Sequence, residues 1–106
     1  MKIAIPTNDR KNIAERTGQT KEFAVYEIEN NVIVSTQFHA NPHTHDDDSH
    51  DDHNHSHAEI TELLADCDLM IVQKVGKHMK RDLDAGGLKY EITKENDLEK
   101  IIQTYL

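Results

Sequence analysis

Short apolar runs alternate with polar segments along most of the chain, and their lengths predict strands and helices. Residues 2–6 form an apolar run that ends at a proline, which fits a short buried strand, and residues 7–21 form a polar loop. Residues 22–29 and 32–39 are rich in strand-forming side chains. The two asparagines between them tolerate the positive φ of a tight turn. The first part of the chain is therefore predicted to be a strand, a long loop and a β-hairpin.

The second strand of the hairpin alternates between two faces, because successive side chains of a strand point in opposite directions. One face carries Val32, Val34, Thr36 and Phe38, and the other carries Ile33, Ser35, Gln37 and His39. The first face is the more apolar. We therefore expect it to pack against the core.

A helix is predicted to follow at Ser56, because Ser56 and Glu59 have the spacing of a capping box. Apolar residues then recur on one helical face: Ile60, Leu63, Leu64 and Cys67. Cys67 is the only cysteine, which excludes an internal disulfide. Free cysteines are often buried, so Cys67 is expected to be a small core residue.

The last part of the chain alternates between strand and helix patterns. Residues 69–72 are continuously apolar, as in a central parallel strand. A polar helix is predicted from about residue 77 to residue 84, ended by two glycines at 86 and 87. Residues 88–92 resemble an edge strand, and Asn96 is predicted to cap a final helix. The apolar face of that helix carries Leu98, Ile101, Ile102 and Tyr105.

This order of elements predicts one α/β domain spanning residues 1–106. A strand and a hairpin followed by alternating helices and strands give a five-stranded mixed sheet with helices packed on it. Right-handed crossovers predict that the last three strands form a parallel layer. The architecture expected from this order is ribonuclease H-like.

A histidine- and aspartate-rich stretch interrupts this pattern, and we interpret residues 40–56 as an inserted loop. The window from residue 39 to residue 57 has five aspartates and seven of the eight histidines: His39, His43, His45, His50, His53, His55 and His57. Imidazole and carboxylate groups bind divalent metals such as zinc, nickel, copper and ferrous iron. The alternative is a solvated loop without function, since a histidine-rich composition alone is not diagnostic.

Charge is distributed unevenly along the chain. The formal net charge is −8, and no Lys or Arg occurs between residues 22 and 73. A nucleic-acid partner is not expected, because phosphate binding needs a basic surface. No signal peptide and no apolar run of membrane-spanning length is present, so we expect a cytoplasmic protein that does not enter a membrane.

Four blocks of the sequence resemble the dinitrogenase iron–molybdenum cofactor biosynthesis family, which contains small cluster-carrying domains. They are the opening MKIAIPTND, the stretch KEFAVYEIENN, the block HAEITELLADCDLMIV and the closing L-x-x-GG-L-x-Y-E-I spacing. The resemblance covers nearly the whole chain. It implies a ribonuclease H-like fold and non-catalytic binding of an iron–sulfur-type cluster precursor, exchanged with a donor or acceptor protein.

The resemblance also implies a cluster site in the loop after the fourth strand. Gly76 remains there from the glycine-rich loop of the family, and Lys74 and Lys77 would attract an anion. His78 is the one histidine outside the window from residue 39 to residue 57. It is either a surface residue of the helix or a cluster ligand beside this basic loop.

Three functions remain open from the sequence: a cluster carrier, a divalent-metal buffer or chaperone acting through the inserted loop, and an interaction domain with an inert loop. A two-metal nuclease is not expected, because neither the first nor the fourth predicted strand carries a carboxylate. No serine or cysteine nucleophile is paired with a base in the sequence pattern. We therefore expect a protein that is not an enzyme.

If the inserted histidines bind a divalent metal, affinity should fall steeply between pH 7 and pH 5. An imidazole with a pKa of about 6.5 must lose its proton before it binds. Isothermal titration with zinc or nickel at both pH values measures this. Equal affinity at the two pH values would mean that carboxylates are the ligands.

Overall fold

A computed structural model of the chain describes residues 1–41 and 63–106. Several sequence predictions concern residues outside these ranges, namely the helix start at Ser56 and the metal-ligand candidates His43, His45, His50, His53, His55 and His57.

Five strands form one mixed sheet. They are β1 (Lys2–Thr7), β2 (Glu22–Glu29), β3 (Val32–Ala40), β4 (Leu69–Val72) and β5 (Tyr90–Ile92). Their order across the sheet is β3-β2-β1-β4-β5. The pairs β1–β2 and β2–β3 are antiparallel, whereas β1–β4 and β4–β5 are parallel. The predicted α/β class and the five-stranded mixed sheet are therefore confirmed.

The parallel layer differs from the prediction. It consists of β1, β4 and β5, not of the last three strands, because β3 pairs only with β2 and lies at the antiparallel edge. The hairpin turn keeps β3 beside β2, and its residues Asn30 and Asn31 have φ values of 54° and 65°. A hairpin so tightly closed cannot send its second strand across the sheet. The chain therefore crosses over after β3, and β4 enters the sheet between β1 and β5.

The predicted core face of β3 is wrong for Val32 and Val34 and correct for Phe38. Val32 and Val34 are 57% and 54% exposed, whereas Ile33 and Phe38 pack against the core. Glu27 pairs with Ser35 but Ile28 pairs with Ile33, so Val34 is an extra residue in β3. Such a bulge reverses the alternation of side chains beyond it. Strict period-two alternation therefore assigned the first half of β3 to the wrong face.

Two helices follow the predicted pattern. Helix α1 spans Lys77–Gly86, and Gly87 ends it with a left-handed φ of 76°. Helix α2 spans Leu98–Gln103. Its cap is Asp97 rather than the predicted Asn96, because the Asp97 carboxylate accepts a hydrogen bond from the Glu99 amide at 2.9 Å.

A hydrophobic cluster lies on each face of the sheet. On one face α2 packs its buried residues Leu98, Ile101 and Ile102. On the other face α1 contributes Met79 and Leu83, and the segment before β4 contributes two further buried residues, Leu64 and Cys67. The predicted burial of Cys67 is confirmed. In the described part of the chain, no helix is long and apolar enough to cross a membrane.

The two glycines that flank α1 should respond differently to alanine. Gly87→Ala places a Cβ on a left-handed residue and should lower the free energy of unfolding by about 1 kcal/mol. Gly76 has an ordinary φ of −75°, and a Cβ there meets no atom within 4 Å, so Gly76→Ala should change stability little. Urea unfolding of both variants tests this. Equal losses would contradict it.

Candidate functional site at the carboxyl edge of the parallel strands

Two loops meet where the neighbouring parallel strands β1 and β4 end. The first loop covers residues 8–21 after β1, and the second covers residues 73–76 after β4. Open α/β sheets bind ligands in the crevice outside the carboxyl ends of their strands. We call this region the carboxyl edge. The sequence-predicted residues Lys74, Gly76 and Lys77 all lie there.

The first loop holds the backbone of Lys74 in place. Arg16 and Lys74 form an isolated parallel bridge, and the Thr17 hydroxyl donates to the Lys74 carbonyl at 2.9 Å. Thr17 is only 1% exposed, so this hydrogen bond is shielded from water. The two loops are therefore fastened together rather than merely adjacent.

The side chain of Lys74 is held more weakly than its backbone. Its ammonium donates to Glu15 Oε2 at 2.9 Å, and this bond holds the pKa of the Glu15 carboxyl below its ordinary value. Both side chains are exposed, at 71% and 63%. Exposed ion pairs contribute little to stability, so Lys74 can exchange Glu15 for another anion at small cost.

Gly76 caps the amino end of α1 without a side chain. Its carbonyl accepts from the Lys80 amide at 2.9 Å, and the first turn of α1 has no acidic residue. The first amides of a helix have no partner within the helix and carry partial positive charge. Lys77 is exposed in the first turn. His78 is the second residue of α1, but its side chain is not among those the structure describes.

The first loop contains a tight turn at residues 9–12, which was not predicted from the sequence. Arg10 has a left-handed φ of 64°. The Asp9 carboxylate accepts from the amides of Asn12 and Lys11 at 2.8 and 2.9 Å. These hydrogen bonds to the charged form lower the pKa of Asp9 to about 2. The signal that could have found this turn is the Asn8-Asp9 pair that follows β1, since both residue types favour turns.

Arg10 is committed to other groups of the chain. Its guanidinium donates to both carboxylate oxygens of Glu22 at 2.8 Å and lies 4.6 Å from the centre of the Phe38 ring. A bidentate arginine–carboxylate pair fixes the geometry of both side chains better than a single hydrogen bond does. Arg10 therefore braces the first loop against the hairpin and is not a free anion-binding group.

The carboxyl edge is basic although the chain is acidic. Residues 8–21 and 73–81 contain two acidic residues, Asp9 and Glu15. The same ranges contain eight basic residues: Arg10, Lys11, Arg16, Lys21, Lys74, Lys77, Lys80 and Arg81. Glu22 matches the charge of Arg10 and Glu15 matches that of Lys74, but the remaining basic residues outnumber Asp9, so the edge would attract an anion.

The structure does not place His39 with the lysine loop. His39 lies in a cleft of about 130 Å³ on one sheet face, together with Lys2 and Asp66. Its Nε2 atom is 3.2 Å from the Gln37 side-chain oxygen. In residues 1–41 and 63–106, no group of three or more His, Cys, Asp or Glu side chains is arranged to hold a metal ion.

Cys67 behaves as a core residue. It is 8% exposed, and burial, followed by the nearby Asp66 charge, raises the pKa of its thiol to about 11. The thiolate is the reactive and metal-binding form. Cys67 is therefore a poor ligand or nucleophile at neutral pH.

The fold and the site define the class of this protein as an α/β domain with a basic surface at the carboxyl ends of its parallel strands. The chain belongs to the dinitrogenase iron-molybdenum cofactor family, whose family model matches residues 1–106. No protein with curated annotation matches the chain.

Solved structures share the fold at low sequence identity. The crystal structure of PH0822 is 15% identical with a TM-score of 0.75, covering 99% of this chain and 89% of that one. A protein from Methanocaldococcus jannaschii described as a candidate dinitrogenase is 17% identical with a TM-score of 0.72, at 99% and 86% coverage. A candidate NifB protein from Thermotoga is 16% identical with a TM-score of 0.70, at 98% and 85% coverage. At these identities the likeness establishes the fold alone.

The Asp9 turn should make stability depend on acid pH. Because folding lowers the pKa of Asp9 from 3.8 to about 2, its charge-dependent contribution is complete above about pH 4 and is lost as pH falls through 2. Asp9→Asn should therefore lower the melting temperature at pH 6 but not near pH 1.5. Carbon-detected NMR titration should place the Asp9 midpoint near 2. Asn12→Ala removes a donor and should raise that midpoint. A wild-type midpoint of 3.8 would contradict this account.

Proposed function

We propose that the protein is a non-catalytic carrier of an iron–sulfur-type cluster, a precursor of the iron–molybdenum cofactor, which binds at the carboxyl edge. Membership of the dinitrogenase iron-molybdenum cofactor family supports a cluster of this kind as the bound group. The residues assigned to it are Lys74, Gly76, Lys77 and His78. A donor or acceptor protein would exchange the cluster, and we place this exchange in the cytoplasm.

The observation that carries this proposal is the exposed, positively charged surface at the carboxyl edge, where the two joined loops lie beside the amino end of α1. Thr17 fixes the Lys74 backbone, and nothing lies within 4 Å of a Cβ added at Gly76. An anionic cluster can therefore approach the free amides of α1 closely. Lys74 and Lys77 flank that approach, and a cluster that binds there would replace the exposed Glu15 carboxylate as the partner of Lys74.

A carrier role without catalysis agrees with the groups near the two central strands. Neither β1 nor β4 carries a carboxylate that could hold a metal pair. Cys67 is buried and its pKa is raised. We assign the order β3-β2-β1-β4-β5 to the ribonuclease H-like architecture as part of the same proposal. That architecture does not itself imply nuclease activity.

A second candidate function is divalent-metal buffering by the histidine-rich segment. One observation favours it: the segment leaves the sheet at the carboxyl edge, because Ala40 pairs with Glu22 and Glu22 pairs with Thr7 at the end of β1. Asn41 fixes this exit, since its amide donates to the Lys21 carbonyl at 3.0 Å and its side chain to the Thr20 carbonyl at 2.8 Å. A metal ion and an anionic cluster would thus be received on the same side of the molecule.

The cluster site is tested by removing its positive charge. A Lys74→Ala/Lys77→Ala variant should bind a synthetic iron–sulfur cluster at least about tenfold more weakly, because each lost charge is worth about 1 kcal/mol at 4 Å in water. His78→Ala should also weaken binding. Lys89→Ala is the matched control, since Lys89 is exposed and lies just before β5, at the opposite edge of the sheet.

Anaerobic absorption titration measures cluster binding in each variant. Deleting residues 42–55, which keeps the Asn41 anchor, should abolish stoichiometric zinc binding and spare the cluster signal. If the deletion removes the cluster signal while the lysine and histidine variants keep it, the assignment to the carboxyl edge is wrong.

A further inference from the structure

A groove with a volume of about 640 Å³ lies on the sheet face that carries α2. Tyr26, Leu98 and Ile102 are its buried lining residues, and Ile33 and Thr36 of β3 line it on one side. Its other side is the loop of residues 10–12 together with the start of α2. The groove borders the first loop, but none of Lys74, Gly76 and Lys77, which are assigned to the cluster, lines it.

The phenol of Tyr26 is an unused polar group in this groove. Tyr26 is 8% exposed, and its hydroxyl has no hydrogen-bond partner among residues 1–41 and 63–106. Burial, then the carboxylates of Glu99 and Asp97, raise the pKa of the phenol, so it stays protonated. The hydroxyl is therefore available to a ligand that enters the groove.

The charges along the groove favour a cationic ligand. Glu99 is exposed, and Asp97 uses one carboxylate oxygen to cap α2, which leaves the other oxygen to accept. Arg10 also lines the groove, but its charge is matched by Glu22. Lys11 is the remaining cation of the lining, and its exposed side chain can turn to solvent. Two carboxylates against one unmatched cation leave the groove acidic.

We propose that this groove receives an arginine side chain of a partner protein. The guanidinium would donate to Glu99, Asp97 and the Tyr26 oxygen, and the aliphatic stem would lie on Ile33, Leu98 and Ile102. Arginine is enriched among residues that dominate protein–protein binding energy. The overall charge of −8 also favours association with a basic partner. This site lies beyond the proposed cluster function and does not depend on it.

The probe is N-acetyl-arginine amide, which represents an arginine within a protein chain. Titration into the full-length protein, followed by amide NMR, should give saturable shifts at Tyr26, Leu98 and Glu99. N-acetyl-citrulline amide has the same shape without the charge and should give none. Free L-arginine should bind no more tightly than the capped probe. Tighter binding of free arginine would identify a small-molecule site and overturn the assignment to a partner protein.

Two variants separate binding from folding. Tyr26→Phe should weaken the probe about threefold or more, the effect of one lost hydrogen bond, and should leave the melting temperature unchanged or slightly higher because the hydroxyl has no internal partner. Glu99→Gln should weaken it similarly, whereas Glu29→Gln, an exposed residue at the end of β2, should not. A melting temperature lowered by Tyr26→Phe, or equal binding of arginine and citrulline probes, would overturn the proposal.

Discussion

The parallel pairing of β1 with β4 is the contact on which the arrangement of this protein depends. Ile3 lies beside Leu69 and Ala4 beside Met70, all four buried, so the two strands end side by side. The loops that follow them must then share one edge of the sheet. The hydrogen bond from Thr17 to the Lys74 carbonyl fastens those loops together. The basic residues of both loops therefore lie at one edge of an otherwise acidic protein. We place the proposed cargo site at this edge.

The β2–β3 hairpin forms the antiparallel side of the sheet, and it carries the groove rather than the proposed cluster site. Tyr26 of β2 and Ile33 and Thr36 of β3 line the groove on the sheet face that carries α2. The proposed role of this surface is recognition of a partner protein rather than binding of cargo. A carrier has to meet both its cargo and the proteins that supply and accept it. In the proposed function, the carboxyl edge would receive the cargo and the groove would receive a partner protein.

Local patterns allowed most elements to be predicted, but long-range geometry did not follow from them. The apolar run of β4, the asparagine turn and the stop at Gly87 each depend on nearby residues and were confirmed. The bulge at Val34 depends on pairing with β2, so strand alternation alone misjudged the exposed face of β3. Lys74, Gly76 and Lys77 could be proposed from charge and resemblance. The hydrogen bond from Thr17 to the Lys74 carbonyl joins residues 57 positions apart, which no local pattern encodes.

The proposed cargo is an anionic cluster that binds on the surface of the two joined loops at the carboxyl edge. A paramagnetic cluster broadens the amide resonances of nearby residues, so an NMR spectrum of the loaded protein locates it directly. The account predicts that the amides of Glu15, Thr17, Lys74 and Lys77 broaden, while those of Asp68 and Lys89 at the opposite edge remain sharp. Broadening confined to Asp68 and Lys89, with sharp signals from the two loops, would contradict it.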